Sequence, residues 1–142
     1  MKKTFDHGIG PNPYNPHAWI AGKPEIAKDV WIGPFTLIDA KHAHVTIGRG
    51  CNISTGAQII SHSTVHRCIS GGKYKKIDTA DTEIEEYCFI GSNAIILMGA
   101  HIGHHSIVGA GCVVTEHTKI PPYSIVTGVP GKITGSSRKF KK

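Results

Sequence analysis

The side chain best suited to chemistry in this 142-residue chain is His62, in the stretch QIISHSTVHR from Gln58 to Arg67. An imidazole, with an ordinary pKa of about 6.5, exists in both protonation states near neutral pH. It can take the proton of a hydroxyl as that hydroxyl attacks, which is general-base work. His66 is the second candidate base. The bland reading of His62 is a histidine at a surface corner, and with ten histidines in the chain that reading has weight. His101, His104 and His105 form a second cluster. A metal site is its sharp reading and exposed corners its bland one. His104 and His105 are adjacent, so at most one of them points to a given ligand, and no metal is expected. The cysteines, Cys51, Cys68, Cys88 and Cys112, contain no CxxC pair, so a zinc ribbon is not expected.

The elements that position these groups are set by a repeat. Written in sixes, the stretch from Ile84 to Gly131 has a first column of Ile84, Ile90, Ile96, Ile102, Val108, Val114, Ile120 and Val126. Its fifth column is Cys88, Ala94, Ala100, Ser106, Cys112, Thr118, Ser124 and Pro130, almost wholly small. A period of six fits neither an amphipathic helix nor an alternating strand. It is a solenoid signal. One β-branched residue per repeat points inward, and a small residue fills the space near the next corner. Gly91, Gly103, Gly109 and Gly111 fall where the chain must turn, and we expect them to supply positive φ. Three repeats make a triangular coil, and coils stack as parallel β at about 4.8 Å. The pattern resembles the hexapeptide repeat of left-handed parallel β-helices. The hand is implied by that resemblance alone.

The sixes begin earlier, at Ile20, Ile26, Ile32 and Ile38, with Val30 and Thr36 in the fifth column. Three residues, His44 to Thr46, break the phase, which resumes at Ile47, Ile53 and Ile59 with Cys51, Ala57 and Ser63 in the fifth column. Fifteen repeats in all predict about five coils in one all-β domain over residues 1–142. Residues 65–83 carry no repeat. They are basic at the centre and acidic at the end, and Gly71-Gly72 marks a turn. A loop this long inside a compact domain is usually either functional or disordered. Residues 1–19, rich in Pro, Gly and Asn, read as an irregular cap in which Tyr14 and Trp19 cover the first coil. Residues 132–142 read as a basic tail that folds back or frays.

The segment from His62 to Gly72, HSTVHRCISGG, resembles the catalytic stretch of hexapeptide O-acetyltransferases from bacterial surface-polysaccharide pathways. The resemblance places the catalytic histidine on His62 and implies attack of an acceptor hydroxyl on a thioester carbonyl. Ser63 stands where that pattern has Asp, so Asp39 or a backbone carbonyl is left to orient the imidazole. The motifs IGSNAIILMGAHIG, VGAGCVVT and IPPYSIVTGVPGK, over residues 90–132, resemble the maltose, galactoside and xenobiotic acetyltransferases. They imply a homotrimer with acetyl-CoA in a groove between subunits. Ser92, Ala110 and Thr115 would line the pantetheine arm, and Lys132 would meet the nucleotide phosphates as a point charge. Glu116 departs from the pattern, and Lys119 is its candidate substitute. A sugar hydroxyl is the implied acceptor, with an amino sugar or a xenobiotic close behind. A γ-carbonic-anhydrase-like metal enzyme and a non-catalytic trimeric scaffold are the readings from other classes.

The formal net charge is +6. The basic residues are scattered, and no aromatic platform is interleaved with them, so nucleic acid is not expected as a partner. A phosphate-rich small ligand uses the same charge. Cys51, Cys88 and Cys112 all sit in the small column, as core filler, which suits a reduced, cytoplasmic compartment. The first thirteen residues hold no apolar run, so no secretory signal is expected. No stretch approaches about 18 apolar residues, so no membrane span is expected.

Overall fold

One Ile or Val in every six residues builds three walls. The computed structural model describes residues 11–141. The first wall stacks strands Trp19–Gly22, Leu37–Ala40, Gln58–Ile59, Ile95–Ile96 and Val113–Val114. The second stacks Glu25–Ile26, Val45–Ile47, Thr82–Ile84, His101–Ile102 and Lys119–Ile120. The third stacks Trp31–Ile32, Asn52–Ile53, Phe89–Ile90, Ile107–Val108 and Ser124–Thr127, closed by antiparallel Lys132–Ser136. The chain visits the walls in rotation, giving five coils of a left-handed parallel β-helix.

The column residues stack on one another through the coils: Ile38 on Ile59, Ile59 on Ile96, Ile96 on Val114. From Ile32 to Val126 they are all buried, whereas Ile20 and Ile26 in the first coil are only partly so. The stack is therefore sealed everywhere except at its N-terminal end. Tyr14, 38% exposed, lines a hollow at this end with Pro13, Ile20 and Ile26, while Trp19 is 48% exposed. The lead-in also docks through polar groups. Asn12 Nδ2 donates to the Ala18 carbonyl and Asn15 Nδ2 to the Ile32 carbonyl. The part of the expected cap before residue 11 lies outside the described residues.

Four expectations need correction. Gly91 and Gly103 are required for close approach rather than positive φ. A Cβ at Gly91 would stand 2.6 Å from the Ala110 nitrogen, and one at Gly103 2.5 Å from the Pro122 nitrogen. Of the four glycines only Gly111 has positive φ, and Tyr87, Asn93, His105, His117 and Tyr123 carry the left-handed corners elsewhere in this half. The inserted residues are not His44 to Thr46, because Val45 is buried within a strand; the exposed bend is at residues 41–43. The excursion begins at His62 and ends by Thr82, whose buried hydroxyl donates to the Ile60 carbonyl and closes the corner behind it. Ser63 has therefore already left the small column, whose place in this coil is taken by buried Thr82, two residues before Ile84.

The tail folds back. Ser137 is buried and its Oγ donates to the His105 carbonyl, while Lys141 Nζ donates to the Tyr123 hydroxyl at 2.9 Å. The buried cysteines pack as expected. Burial pushes the Cys112 thiol up, so it stays a neutral core group. Cys112→Ala should cost about 1 kcal/mol, the loss of one methyl-sized group plus a small cavity. Thermal unfolding should show a modest fall in Tm with turnover unchanged, and a large loss of activity in the folded variant contradicts a packing role.

Candidate active site

His62 stands where the third coil leaves the first wall. Ser61 anchors the departure: it is fully buried, and its Oγ donates to the Asp39 backbone carbonyl at 2.6 Å. His62 and Ser63 then pair antiparallel with Thr79 and Asp78. Asp39 lies one coil back on the same wall, buried, with Oδ1 accepting the Lys41 backbone N–H. Its other oxygen, Oδ2, lies 2.8 Å from His62 Nδ1. Nδ1 is buried and its N–H is not aligned on any acceptor, so the contact is a short electrostatic one rather than a linear hydrogen bond. A carboxylate at that range favours the tautomer carrying the proton on Nδ1, which leaves Nε2 as the acceptor. Of the two orienting groups considered from sequence, Asp39 is the one the fold brings to the imidazole. The exposed His42 ring, in the 41–43 bend, packs 4.9 Å from it centre to centre. Sequence reading missed His42 because its place depends on where the insertion bulges.

His66 is engaged elsewhere. It opens into a short helix, α1 (Val65–Ile69), and its ring stacks on Tyr74 at 3.7 Å. The Tyr74 hydroxyl donates to Asp78 Oδ1 at 2.7 Å, and that hydrogen bond raises the Tyr74 pKa. His66 Nδ1 is 4.0 Å from Asp78 Oδ2. His66, Tyr74 and Asp78 thus brace the excursion, and none of this bracing was visible in the spacing.

The four residues matched to a cofactor groove divide between two corners. Ser92 and Ala110 sit one coil apart where the third wall turns into the first, and the Gly111 N–H donates to the Ser92 carbonyl at 2.9 Å. Lys132 opens the closing strand beside Thr127, at the same corner in the last coil. All three are exposed. Thr115 lies across the first wall, on the corner that carries His62, and its hydroxyl shares a hydrogen bond with Thr118 at 2.9 Å. Lys119 stands beside His101 on the second wall, away from both corners.

Residues 82–116 match the hexapeptide repeat of succinyl-transferase. The fold superposes on the hexapeptide-repeat-containing acetyltransferase VCA0836 of Vibrio cholerae, solved with acetyl-coenzyme A. The TM-score is 0.59 at 26% identity, covering 92% of this chain and 73% of that one. The chain carries the hexapeptide repeat and resembles that acetyltransferase in fold. AntD, an N-acyltransferase of Bacillus cereus solved with dTDP and 3-hydroxybutyryl-CoA, shares the fold at TM-score 0.76 and 21% identity, over 90% of this chain and 71% of that one. The 2,3,4,5-tetrahydropyridine-2,6-dicarboxylate N-succinyltransferase of Xylella fastidiosa is 29% identical over 112 residues, 68% of this chain and 36% of the relative. The hexapeptide-repeat chain thus spans about a third of that relative's length.

In this hexapeptide-repeat chain the three clustered histidines do not converge. His101 lies between two carboxylates, its Nε2 against Glu85 Oε2 and its Nδ1 3.6 Å from Glu83 Oε1. The His101 contact, together with the His104 backbone N–H on Glu85 Oε1, holds the Glu85 carboxyl below its usual range. His104 and His105 instead face each other, Nδ1 to Nδ1 at 2.9 Å. Donor atoms of Glu83, Glu85 and His101 lie within 4.8 Å of one another, close enough to share a cation. The His101 ring is also satisfied by the two carboxylates alone, and His104 and His105 belong to a separate stack with Tyr87 and Tyr123. Among the described residues, no helix is long and apolar enough to cross a membrane.

Proposed function

We propose that the protein transfers an acetyl group from acetyl-CoA to a sugar-type acceptor, with His62 as general base. The observation that carries this reading is the Asp39–His62 contact at 2.8 Å on a rigid wall, with the excursion rising beside it. The acceptor hydroxyl gives its proton to His62 Nε2 as its oxygen bonds to the thioester carbonyl carbon. The tetrahedral intermediate then expels the coenzyme A sulfur, which takes that proton back from the imidazolium. Asp39 stabilises the cation formed between the two steps. No covalent acyl-enzyme is required, since holding both substrates together supplies much of the acceleration.

The outer rows of the walls support a homotrimer. The first wall presents Trp19, Leu37, Gln58, Ile95 and Val113, and the third Trp31, Asn52, Phe89, Ile107 and Ile125. The second presents Glu25, Thr46, Glu83, His101 and Lys119. Two apolar walls for neighbours and one polar wall for solvent is the division a three-fold assembly requires. The corners at both edges of the first wall then lie at subunit boundaries. Ser92, Ala110 and Lys132 would line the donor groove on one edge, with Thr115 and His62 on the other. Backbone N–H groups at that boundary would receive the oxyanion. The free thiols suit a reducing, cytoplasmic compartment. Transfer to an amine is the second reading, favoured by the likeness to the N-acyltransferase AntD.

The test is release of free coenzyme A thiol from acetyl-CoA across a panel of hydroxyl and amine acceptors. No release with any acceptor overturns the reading. Asp39→Asn should lower kcat by about 10- to 100-fold, less than the roughly 10²–10⁴-fold that a general base itself contributes. The effect should fall on kcat and its pH profile, with KM for acetyl-CoA unchanged. A uniform rise in both KM values instead indicates a merely structural role.

A further inference from the structure

The excursion sorts its charges. Arg67, Lys73, Lys75 and Lys76 fall within ten residues, followed by Asp78 and Asp81. The acids are committed. Asp78 accepts the Tyr74 hydroxyl and faces His66, and Asp81 Oδ1 accepts the His44 backbone N–H at 3.1 Å. The four cations form no ion pair among the described residues. Two of them, Arg67 and Lys75, line an open surface cavity of about 560 Å³ with Thr64, Cys68, Gly71 and Gly72. Gly71 and Gly72 turn the backbone there with positive φ and put no side chain into it.

The cavity is built before any ligand arrives. The Gly72 N–H donates to the Arg67 carbonyl at 2.9 Å, the Gly71 N–H to the Cys68 carbonyl at 3.0 Å, and the Tyr74 N–H to Ser70 Oγ at 2.9 Å. These backbone donors are used internally, so whatever enters meets the guanidinium, the ammonium and the Thr64 hydroxyl. Thr64 is two residues from His62, which places the cavity beside the base. Within one chain Ser92, Ala110 and Lys132 lie at the far edge of the first wall, and of the proposed donor-groove residues only Thr115 shares the corner that carries the excursion.

We propose that Arg67 and Lys75 form an anion site that receives a phosphate or carboxylate group of the acceptor. The acceptor is then an acidic, sugar-type molecule rather than a neutral sugar. A planar guanidinium meets either group with two parallel hydrogen bonds, and a nearby ammonium adds a second charge without fixed geometry. The assignment of this anion to an acceptor rests on the acyltransferase reading; the existence of the site does not.

The experiment is calorimetric titration of inorganic pyrophosphate into the full chain and into the Arg67→Gln/Lys75→Gln double variant, each with and without saturating coenzyme A. Both side chains are exposed, so the variant should keep the parent Tm. Pyrophosphate should bind the parent, bind the variant at least ten-fold more weakly, and bind the parent equally well with coenzyme A present. No binding, or equal binding by both proteins, overturns the site. Loss of binding with coenzyme A assigns the cations to the donor phosphates and overturns the acceptor assignment. In turnover, the variant should raise KM for a phosphorylated sugar at least ten-fold and leave KM for acetyl-CoA unchanged. A rise in the acetyl-CoA KM alone overturns the proposal. If no acceptor supports turnover, the acyltransferase reading fails while the titration still decides whether the anion site exists.

Discussion

His62→Ala is expected to lower kcat by roughly 10²–10⁴-fold, the range a positioned general base contributes. The fold should survive, because the ring is not part of the stacked column. It projects from the point where the chain leaves the wall, and Ser61 and Thr82 seal the corner on either side. KM for acetyl-CoA should stay within about two-fold, since no donor-groove residue depends on the imidazole. The measurement is initial-rate thiol release alongside thermal unfolding of the same sample. A folded variant with full activity removes His62 from the chemistry. His66 would then be the next base to test, although its stacking on Tyr74 and its approach to Asp78 commit it to the excursion. A residual rate well above the uncatalysed one is expected in His62→Ala, because substrate positioning does not pass through the imidazole.

The fold was legible because a period of six has few physical solutions, and the column from Ile32 to Val126 is buried without interruption. His62 stood out as a candidate for the opposite reason: the period stops there. Its partner was legible only as one of two candidates, Asp39 or a backbone carbonyl. Asp39 reaches His62 only because Ile38 stacks on Ile59, placing two residues 23 positions apart on adjacent coils, and the three-residue insertion hides that register. Glycine roles were misread for a related reason. Sequence gives the corner but not whether the corner needs a left-handed backbone or simply no side chain. Gly91 and Gly103 are the second kind, pressed against the next coil, while Tyr87 and His105 bear positive φ. The histidine cluster shows the same limit. Spacing put His101, His104 and His105 together, but His101 turns to Glu83 and Glu85 on its own wall.

The largest effect on stability is expected from Ile96→Ala. Ile96 is fully buried in the fourth coil, stacked between Ile59 and Val114. Removing a buried Ile side chain to Ala costs about 2–5 kcal/mol, set by how far the surroundings collapse into the space. Here they collapse little. Each coil's backbone is hydrogen-bonded to the coils on both sides, as in Gln58 N–H to the Ala94 carbonyl and Leu97 N–H to the Val114 carbonyl. The column spacing is therefore fixed by the ladder and not by the side chains, and the cavity stays open. A solenoid also passes its stability through nearest-neighbour contacts, so weakening a central coil uncouples both halves. Against a typical total of about 5–15 kcal/mol, the loss should move the urea midpoint clearly. Ile20→Ala, at the partly exposed end of the same column, should cost less, because its side chain is already partly in water. Equal losses at Ile96 and Ile20 in chemical unfolding would mean that the N-terminal coil is sealed in solution and that the end of the stack is not its weak point.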